Sequence, residues 1–376
     1  LTALAGGILN TFERFLIPAL TPVLLNISLI ATALLLADHM QVPITALAWG
    51  VLAAGIAQLL LQVPALMRLG LMPRPRWGWR HSGVRRILKL MIPTLIGSSV
   101  AQVNLLFDSI IATFLISGSV SWLYYSDRLL EFPLGVLGIA LATVILPNLS
   151  QKHARASTAE FSATLDWALR LAVIVTVPAA VGLIVLAGPI LTTLFQYDAF
   201  QPDDVRMSSF SLIAYSAGLP AFIAVKVLAP GYYARQDTKT PVKIAITAMV
   251  TNMVLNLAFV GALLGYGFSG PHAGLALASS VAAYLNAGLL YRGLRKGQVY
   301  IPERGWIRVW LAVIVACTAM GALLLFMTHD IESWLQAGAA LRIKNLALTI
   351  LFGVIAYVFI GMVTGLKKHD LLRGSK

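Results

Sequence analysis

Long apolar runs recur along the chain, each closed by a short polar or proline-bearing stretch. They fall at 17–37, 44–66, 91–117, 132–150, 166–188, 208–230, 241–264, 272–294, 306–328 and 342–366, after a short apolar stub, 1-LTALAGGIL-9. Crossing hydrocarbon as a helix takes about 20 predominantly apolar residues. The pattern therefore predicts ten complete transmembrane helices. Strands of a membrane barrel would instead alternate apolar and polar over roughly ten residues, and no such alternation is present. Pro18, Pro43, Pro93, Pro133, Pro241 and Pro271 stand where helices are expected to end or kink.

Composition strengthens this reading. The 376 residues are 59% hydrophobic and 11% charged, with mean hydropathy +0.83, whereas a soluble domain carries about 25% charged residues. The expected class is an all-α polytopic membrane protein. Its single cysteine, Cys317, lies in an apolar run and permits no internal disulfide.

The net charge of +13 raises the question of nucleic acid, and the distribution of the charge answers it. Alternate connections on one side hold 23 of the 28 Lys and Arg residues, the opposite connections hold four, and Lys226 falls inside a span. Cytoplasmic loops carry such an excess, so the basic side and the C-terminus are expected in the cytoplasm, in contact with anionic lipid headgroups. No nucleic-acid partner is indicated. After the basic stretch 73-PRPRWGWR-80, the segment 82-SGVRRILKLM-91 reads as a short interfacial amphipathic helix.

An internal repeat organises the runs. Shifting 46-ALAWGVLAAGIAQLLLQVPALMRLG-70 by 228 residues onto 274-GLALASSVAAYLNAGLLYRGLRKG-297 aligns Leu47 with Leu275, Ala54 with Ala282, Gln58 with Asn286 and Arg68 with Lys296. The hairpin before it, 8-ILNTFERFLIPALTP-22, resembles 231-GYYARQDTKTPVKIA-245 at a shift of 223, placing Pro18 on Pro241. Six spans separate the copies, so both cross in the same direction. The expected architecture is two parallel six-helix bundles, the first incomplete, plus two C-terminal transmembrane helices. Residues 1–70 would end the first bundle, 71–90 form a cytoplasmic linker, 91–297 the second bundle, and 298–376 the two final helices with a basic tail. The chain opens on Leu1 inside the stub, and the repeat predicts about 135 further residues, or four spans, upstream.

Ionisable residues inside a bilayer are costly and mark sites. Asp108 follows Asn104 by one turn, and Gly97 and Ala101 extend the same stripe. Asn252 and Asn256 form an i, i+4 pair on another span. These four polar residues are either interhelical glue or a shared site for a cation or proton. Lys226, near the expected cytoplasmic end of its helix, either snorkels to the interface or joins Arg235, Asp237 and Lys239 of 235-RQDTKTP-241 as a latch between bundles. The stretch 121-SWLYYSDRLLEFPLG-135 carries Asp127, Arg128 and Glu131 between two apolar runs. Tyr124, Arg128 and Glu131 share a helical face, and Asp127 stands at i, i+4 from Glu131, so a local charge network and a solvated loop are both open. The six histidines, His39, His81, His153, His272, His329 and His369, form no metal-ligand spacing, and no Gly-rich phosphate loop precedes a Lys-Ser/Thr pair.

The run 119-SVSWLYYSDRLLEFPLGVLGIALATVILPNLS-150 resembles the signature of the MurJ (MviN) lipid II flippases, and 226-KVLAPGYYARQDTKTPVKIA-245 is similar to a second signature of that family. The resemblance extends over the whole chain, 9-LNTFERFLIPALTPVLLNIS-28 included. The family belongs to the multidrug/oligosaccharidyl-lipid/polysaccharide exporter superfamily, with fourteen transmembrane helices in two six-helix lobes plus two. On that map this chain holds the end of the fourth helix and helices five to fourteen. The resemblance implies a transporter rather than an enzyme, moving undecaprenyl-pyrophosphate-disaccharide-pentapeptide (lipid II) between leaflets of the bacterial inner membrane by alternating access. It further implies a cationic cavity for the head group and a groove near the last two helices for the lipid tail. The Ser, Asp, Arg and Glu of the first signature carry over to Ser121, Asp127, Arg128 and Glu131 as cavity or gate residues. No cofactor is implied beyond coupling to Na⁺ or H⁺ and the membrane potential, worth about 2.3 kcal/mol per charge per 100 mV. Other cell-wall synthesis proteins are the expected further partners. Because several cavity arginines of the family lie in the first helices, this polypeptide alone is expected to be inactive. Competing readings are a cation-coupled multidrug or polysaccharide exporter of the same superfamily, an integral-membrane glycosyltransferase, and a non-transporting scaffold fragment. The glycosyltransferase would need a carboxylate cluster in a large outer loop, and the outer loops are short.

Overall fold

The computed structural model describes residues 1–12, 14–71, 81–154, 157–328 and 331–366. The stretch 72–80, Arg155 and the tail 367–376, all of which enter the charge count, lie outside the described residues, as do His329 and His369. The chain divides into two compact units, Leu1–Lys89 and Leu90–Lys376.

The first unit holds α1 (Thr2–Thr11), α2 (Leu16–Leu35) and α3 (Thr45–Arg68). A small core of Ala5, Leu9 and Leu66 joins α1 to α3. Ser28 of α2 donates to the Gly50 carbonyl of α3 at 2.7 Å, and Gln58 of α3 donates to the Thr21 carbonyl at 2.8 Å. Polar side chains bonding across apolar helices are the usual glue of membrane bundles.

The remaining helices are α4 (Ser82–Thr113), α5 (Ser119–Ala154), α6 (Thr158–Val185), α7 (Ala187–Phe195), α8 (Pro202–Tyr233), α9 (Lys239–Gly265), α10 (Ala273–Lys296), α11 (Trp306–Met327), α12 (Ile331–Gln336) and α13 (Ala339–Thr364). Among the described residues eight helices are long and apolar enough to cross a membrane: α2, α3, α6, α8, α9, α10, α11 and α13. The chain is a multi-pass α-helical membrane protein.

Two helices begin well before their apolar runs. The segment 82–91 is no separate amphipathic helix but the first turns of α4, which continues unbroken to Thr113. The charged stretch 121–135 is likewise the first half of the 36-residue α5, which begins at Ser119, and the solvated-loop reading is thereby excluded. Pro93 and Pro133 fall inside these helices rather than at their ends. Neighbouring helices and local adjustments tolerate such prolines in membrane helices.

At the centre of the larger unit α8 packs against α5, α6, α7 and α10. Its buried face is rich in small residues, Ser208, Ser211, Ser216, Gly218 and Ala221 among them, which lets helix backbones approach closely. A Cβ on Gly218 would stand 2.5 Å from Ser280 Oγ of α10, and that hydroxyl donates to the Ala214 carbonyl of α8 at 2.7 Å. The start of α5 is tied to α8 by Trp122 Nε1 donating to Asp204 at 2.7 Å and by Ser126 Oγ donating to the Ser208 carbonyl at 2.8 Å. Trp122 also packs against the ring of the buried His272, 5.0 Å away.

The C-terminal helices α11 and α13 pack on each other, and α11 packs on α6 through a core that includes Ile174, Val313, Cys317 and Tyr357. Cys317 is therefore a core side chain. Two buried arginines, counted as loop charges in the sequence, fix this region. Arg170 of α6 pairs with Asp166 at 2.6 Å and donates to the carbonyls of Glu303 and Arg304. Asp166 in turn accepts from Tyr300 Oη, the Glu303 amide and Trp306 Nε1 at 2.8, 3.1 and 2.7 Å. Burial, with Asp166 beside it, pushes the Tyr300 phenol far above its ordinary range. Arg342 of α13 donates to the carbonyls of Trp334, Leu335, Thr192 and Gln196, closing the ends of α7 and α12.

Candidate functional site: a charged face and an apolar groove on one helix

Ser121, Tyr124, Arg128 and Glu131 are exposed on α5 and Asp127 is half-buried. Arg128 Nη1 meets Glu131 Oε2 at 2.5 Å, and the guanidinium lies 5.0 Å from the centroid of Tyr124. The pair is therefore i, i+3 between Arg128 and Glu131, two of the three residues that the spacing puts on one helical face with Tyr124. Among the described residues Asp127 takes part in no ion pair. An α-helix turns once in about 3.6 residues, which places Asp127 and Glu131 about half a turn from Leu129 and Pro133.

The side of α5 adjoining Arg128, which stands one turn (i, i+4) from Phe132, borders a cavity of about 1040 Å³. Leu129, Phe132 and Pro133 of α5 form one wall, with Pro178 of α6, Leu194 of α7, Leu324 of α11 and Tyr357 of α13 among the others. Its lining is aliphatic and aromatic throughout, which suits a long hydrocarbon chain. One helix thus carries charge on one face and part of the wall of an apolar groove on the face adjoining it.

A second polar cluster lies where α4, α9 and α10 meet. Asp108, five residues before the end of α4, is buried. Asn256 Nδ2 donates to Asp108 Oδ1 at 2.5 Å and to Asn252 Oδ1 at 3.0 Å, and Asn104 Nδ2 reaches Asp108 Oδ2 at 3.4 Å. The sequence spacing anticipated this set of four. It missed Ser279 of α10, whose hydroxyl accepts from Asn252 at 3.1 Å and reaches Asp108 Oδ2 at 3.4 Å. A serine in an Ala/Leu-rich helix gives no signal of its own. The Asn104 and Asn256 Oδ1 atoms are buried and accept no hydrogen bond, a costly state for a carbonyl oxygen. The donor set is all oxygen, suited to a hard cation and unsuited to soft transition metals. No cluster of three His, Cys, Asp or Glu side chains occurs among the described residues. The side chains of Gly97 and Ala101 lie outside the described residues.

The four latch residues are not gathered. Asp237 accepts from the Thr240 amide at 3.0 Å at the start of α9, and its hydrogen bonds to Thr240 hold the carboxyl below its ordinary range. Arg235 and Lys239 are exposed. Lys226 stands seven residues before the end of α8, about two turns, with its stem against Gly138 of α5.

These features define a class, a multi-pass helical membrane protein with an exposed charged helix face beside an apolar groove. The family profile described as "Lipid II flippase MurJ" matches residues 1–367. The chain is 48% identical to the "Probable lipid II flippase MurJ" of Haemophilus influenzae over 98% of its own length and 72% of that protein. It is 41% identical to the "Lipid II flippase MurJ" of Burkholderia cenocepacia over 100% of its length and 72% of that protein. It superimposes with TM-score 0.75 on a solved "Lipid II flippase MurJ, inward closed conformation", 26% identical, covering 96% of this chain and 70% of that one. The chain belongs to the MurJ family of lipid II flippases.

Proposed function

We propose that the chain supplies the second lobe, within Leu90–Lys376, of a flippase that moves lipid II from the inner to the outer leaflet of the bacterial cytoplasmic membrane by alternating access between two lobes. The observation that carries this reading is α5, with Arg128 and its acids on one face and the apolar groove along the adjoining one. Taking a pyrophosphate through hydrocarbon unaided strips its water without replacement. A guanidinium replaces that hydration with paired, charge-assisted hydrogen bonds. The exposed Arg128–Glu131 pair is weak, about 0–1 kcal/mol, so Arg128 exchanges its carboxylate for phosphate oxygens at little cost. The polyprenyl tail occupies the groove. Ser121 and Asp127 flank the same face as head-group contacts.

The basic ends of the helices face the cytoplasm, as does the C-terminus, in contact with anionic headgroups. In a protein that carries both lobes, reconstituted into liposomes, Arg128→Gln is expected to slow translocation of labelled lipid II at least about tenfold, the loss of one charge-assisted pair. Undiminished translocation by that variant would return Arg128 to a surface residue.

Asp108, Asn104, Asn252, Asn256 and Ser279 form a site for Na⁺, with protonation of Asp108 as the competing way to satisfy the cluster. The two unsatisfied buried amide oxygens favour the cation. Asp108→Asn is expected to abolish the dependence of translocation on a Na⁺ gradient. Loss of a pH-gradient dependence alone would assign the site to a proton.

A further inference from the structure

Lys226 is not gathered with the other latch residues, Arg235, Asp237 and Lys239. Its helix continues seven residues beyond it, and α5 continues sixteen residues beyond Gly138, so the ammonium is well short of both helix ends. The stem crosses α5 instead. A Cβ on Gly138 would stand 2.6 Å from Lys226 Cδ and 3.2 Å from Cε. Glycine at 138 is what allows the lysine to lie across the helix. Lys226 is half-exposed and enters no ion pair among the described residues.

Gly138 follows Asp127 and Glu131 at i+11 and i+7, which keeps all three on one stripe of α5. Between them Gly135 leaves open space, with no atom within 4 Å of where its Cβ would be. The face therefore runs from Asp127 and Arg128 past Glu131 and the open space at Gly135 to a second cation, about 15 Å from Arg128 along the axis at 1.5 Å per residue.

We propose that Lys226 is a second phosphate-binding residue, which holds the pyrophosphate head group at the end of this face remote from Arg128. This rests on the flippase reading. Transport requires sites that bind well enough to load and weakly enough to release. Two cations with the Glu131 carboxylate between them meet that need, since the acid repels an anion that lingers there. Lysine suits the role as a mobile point charge, where Arg128 grips in a fixed fork.

The test uses the full chain in lipid nanodiscs, titrated with lipid II, undecaprenyl pyrophosphate and undecaprenol. Lys226→Met, which keeps the stem, is expected to weaken both phosphorylated ligands about tenfold and to leave undecaprenol and the melting temperature unchanged. Lys226→Arg is expected to stay within about threefold of the unaltered chain, because the charge survives. Gly138→Ala, which displaces the stem and keeps the charge, is expected to weaken the phosphorylated ligands alone. Unchanged affinity in Lys226→Met, alongside a loss in Arg128→Gln, would overturn the assignment and leave the flippase reading standing. An equal loss for all three ligands with a lowered melting temperature would overturn it in favour of packing. Failure of the unaltered chain to bind lipid II would overturn both.

Discussion

Asp166–Arg170 on α6 and Arg128–Glu131 on α5 each join an arginine to an acid within one helix, at 2.6 and 2.5 Å. Their surroundings differ in every other respect. The α6 pair is buried, and Asp166 receives hydrogen bonds from Tyr300, Glu303 and Trp306 besides Arg170. The Arg128 and Glu131 side chains are 53% and 48% exposed, with an aromatic ring as the guanidinium's only further neighbour among the described contacts. A charge whose partners are all filled has nothing left to offer a ligand. One that is half-satisfied and exposed can change partners. Distance within a pair does not distinguish a structural joint from a working site, whereas the occupancy of the remaining hydrogen-bonding positions does.

The largest effect is expected at the filled pair. Asp166→Ala leaves a buried guanidinium uncompensated, which costs about 3–5 kcal/mol, read as a lowered midpoint of thermal unfolding in detergent. A loss below about 1 kcal/mol would put the two pairs in the same category and break the comparison. Glu131→Gln is expected to change stability by less than about 1 kcal/mol, as for exposed pairs, while altering lipid II translocation by freeing Arg128. A stability loss with unaltered translocation would reverse the roles. The smallest effect is expected at Asp237. Its carboxyl titrates below its unfolded value, so its contribution is present above the ordinary carboxylate range, about pH 4, and is lost as pH falls through the lowered value. Asp237→Asn should therefore lower stability slightly at neutral pH and flatten the acid limb of a stability–pH curve, leaving its low-pH end unaffected.

The apolar runs and the two i, i+4 pairs, Asn104 with Asp108 and Asn252 with Asn256, were legible because each depends on local spacing within a helix; the meeting of the two pairs joins residues 148 apart and is fixed by packing alone. Helix starts were less legible. Polar residues in the opening turns of α4 and α5 depress hydropathy, so the runs place those starts at 91 and 132 where the helices begin at Ser82 and Ser119. The Asp166 joint was invisible because three of its partners, Tyr300, Glu303 and Trp306, lie more than 130 residues away in sequence. Arg170 and Arg342 read as loop charges since nothing local marks a cation that will be buried on backbone carbonyls. Lys226 was placed near a helix end for the same reason. Only the packing of α8 against α5 shows that its stem lies over a glycine.

The contact of Gly218 with Ser280 bears on how the larger unit moves. With no Cβ between the helices and a serine hydroxyl bonded across them, α8 and α10 have no clearance to slide along one another. Packed interfaces of this kind switch between discrete arrangements rather than deform smoothly. The two helices therefore travel as one rigid body, and any opening of the larger unit is taken up at its joints and not by shear through its middle. A cross-link between positions 218 and 280 would consequently be silent in transport, whereas one bridging a true hinge would arrest it.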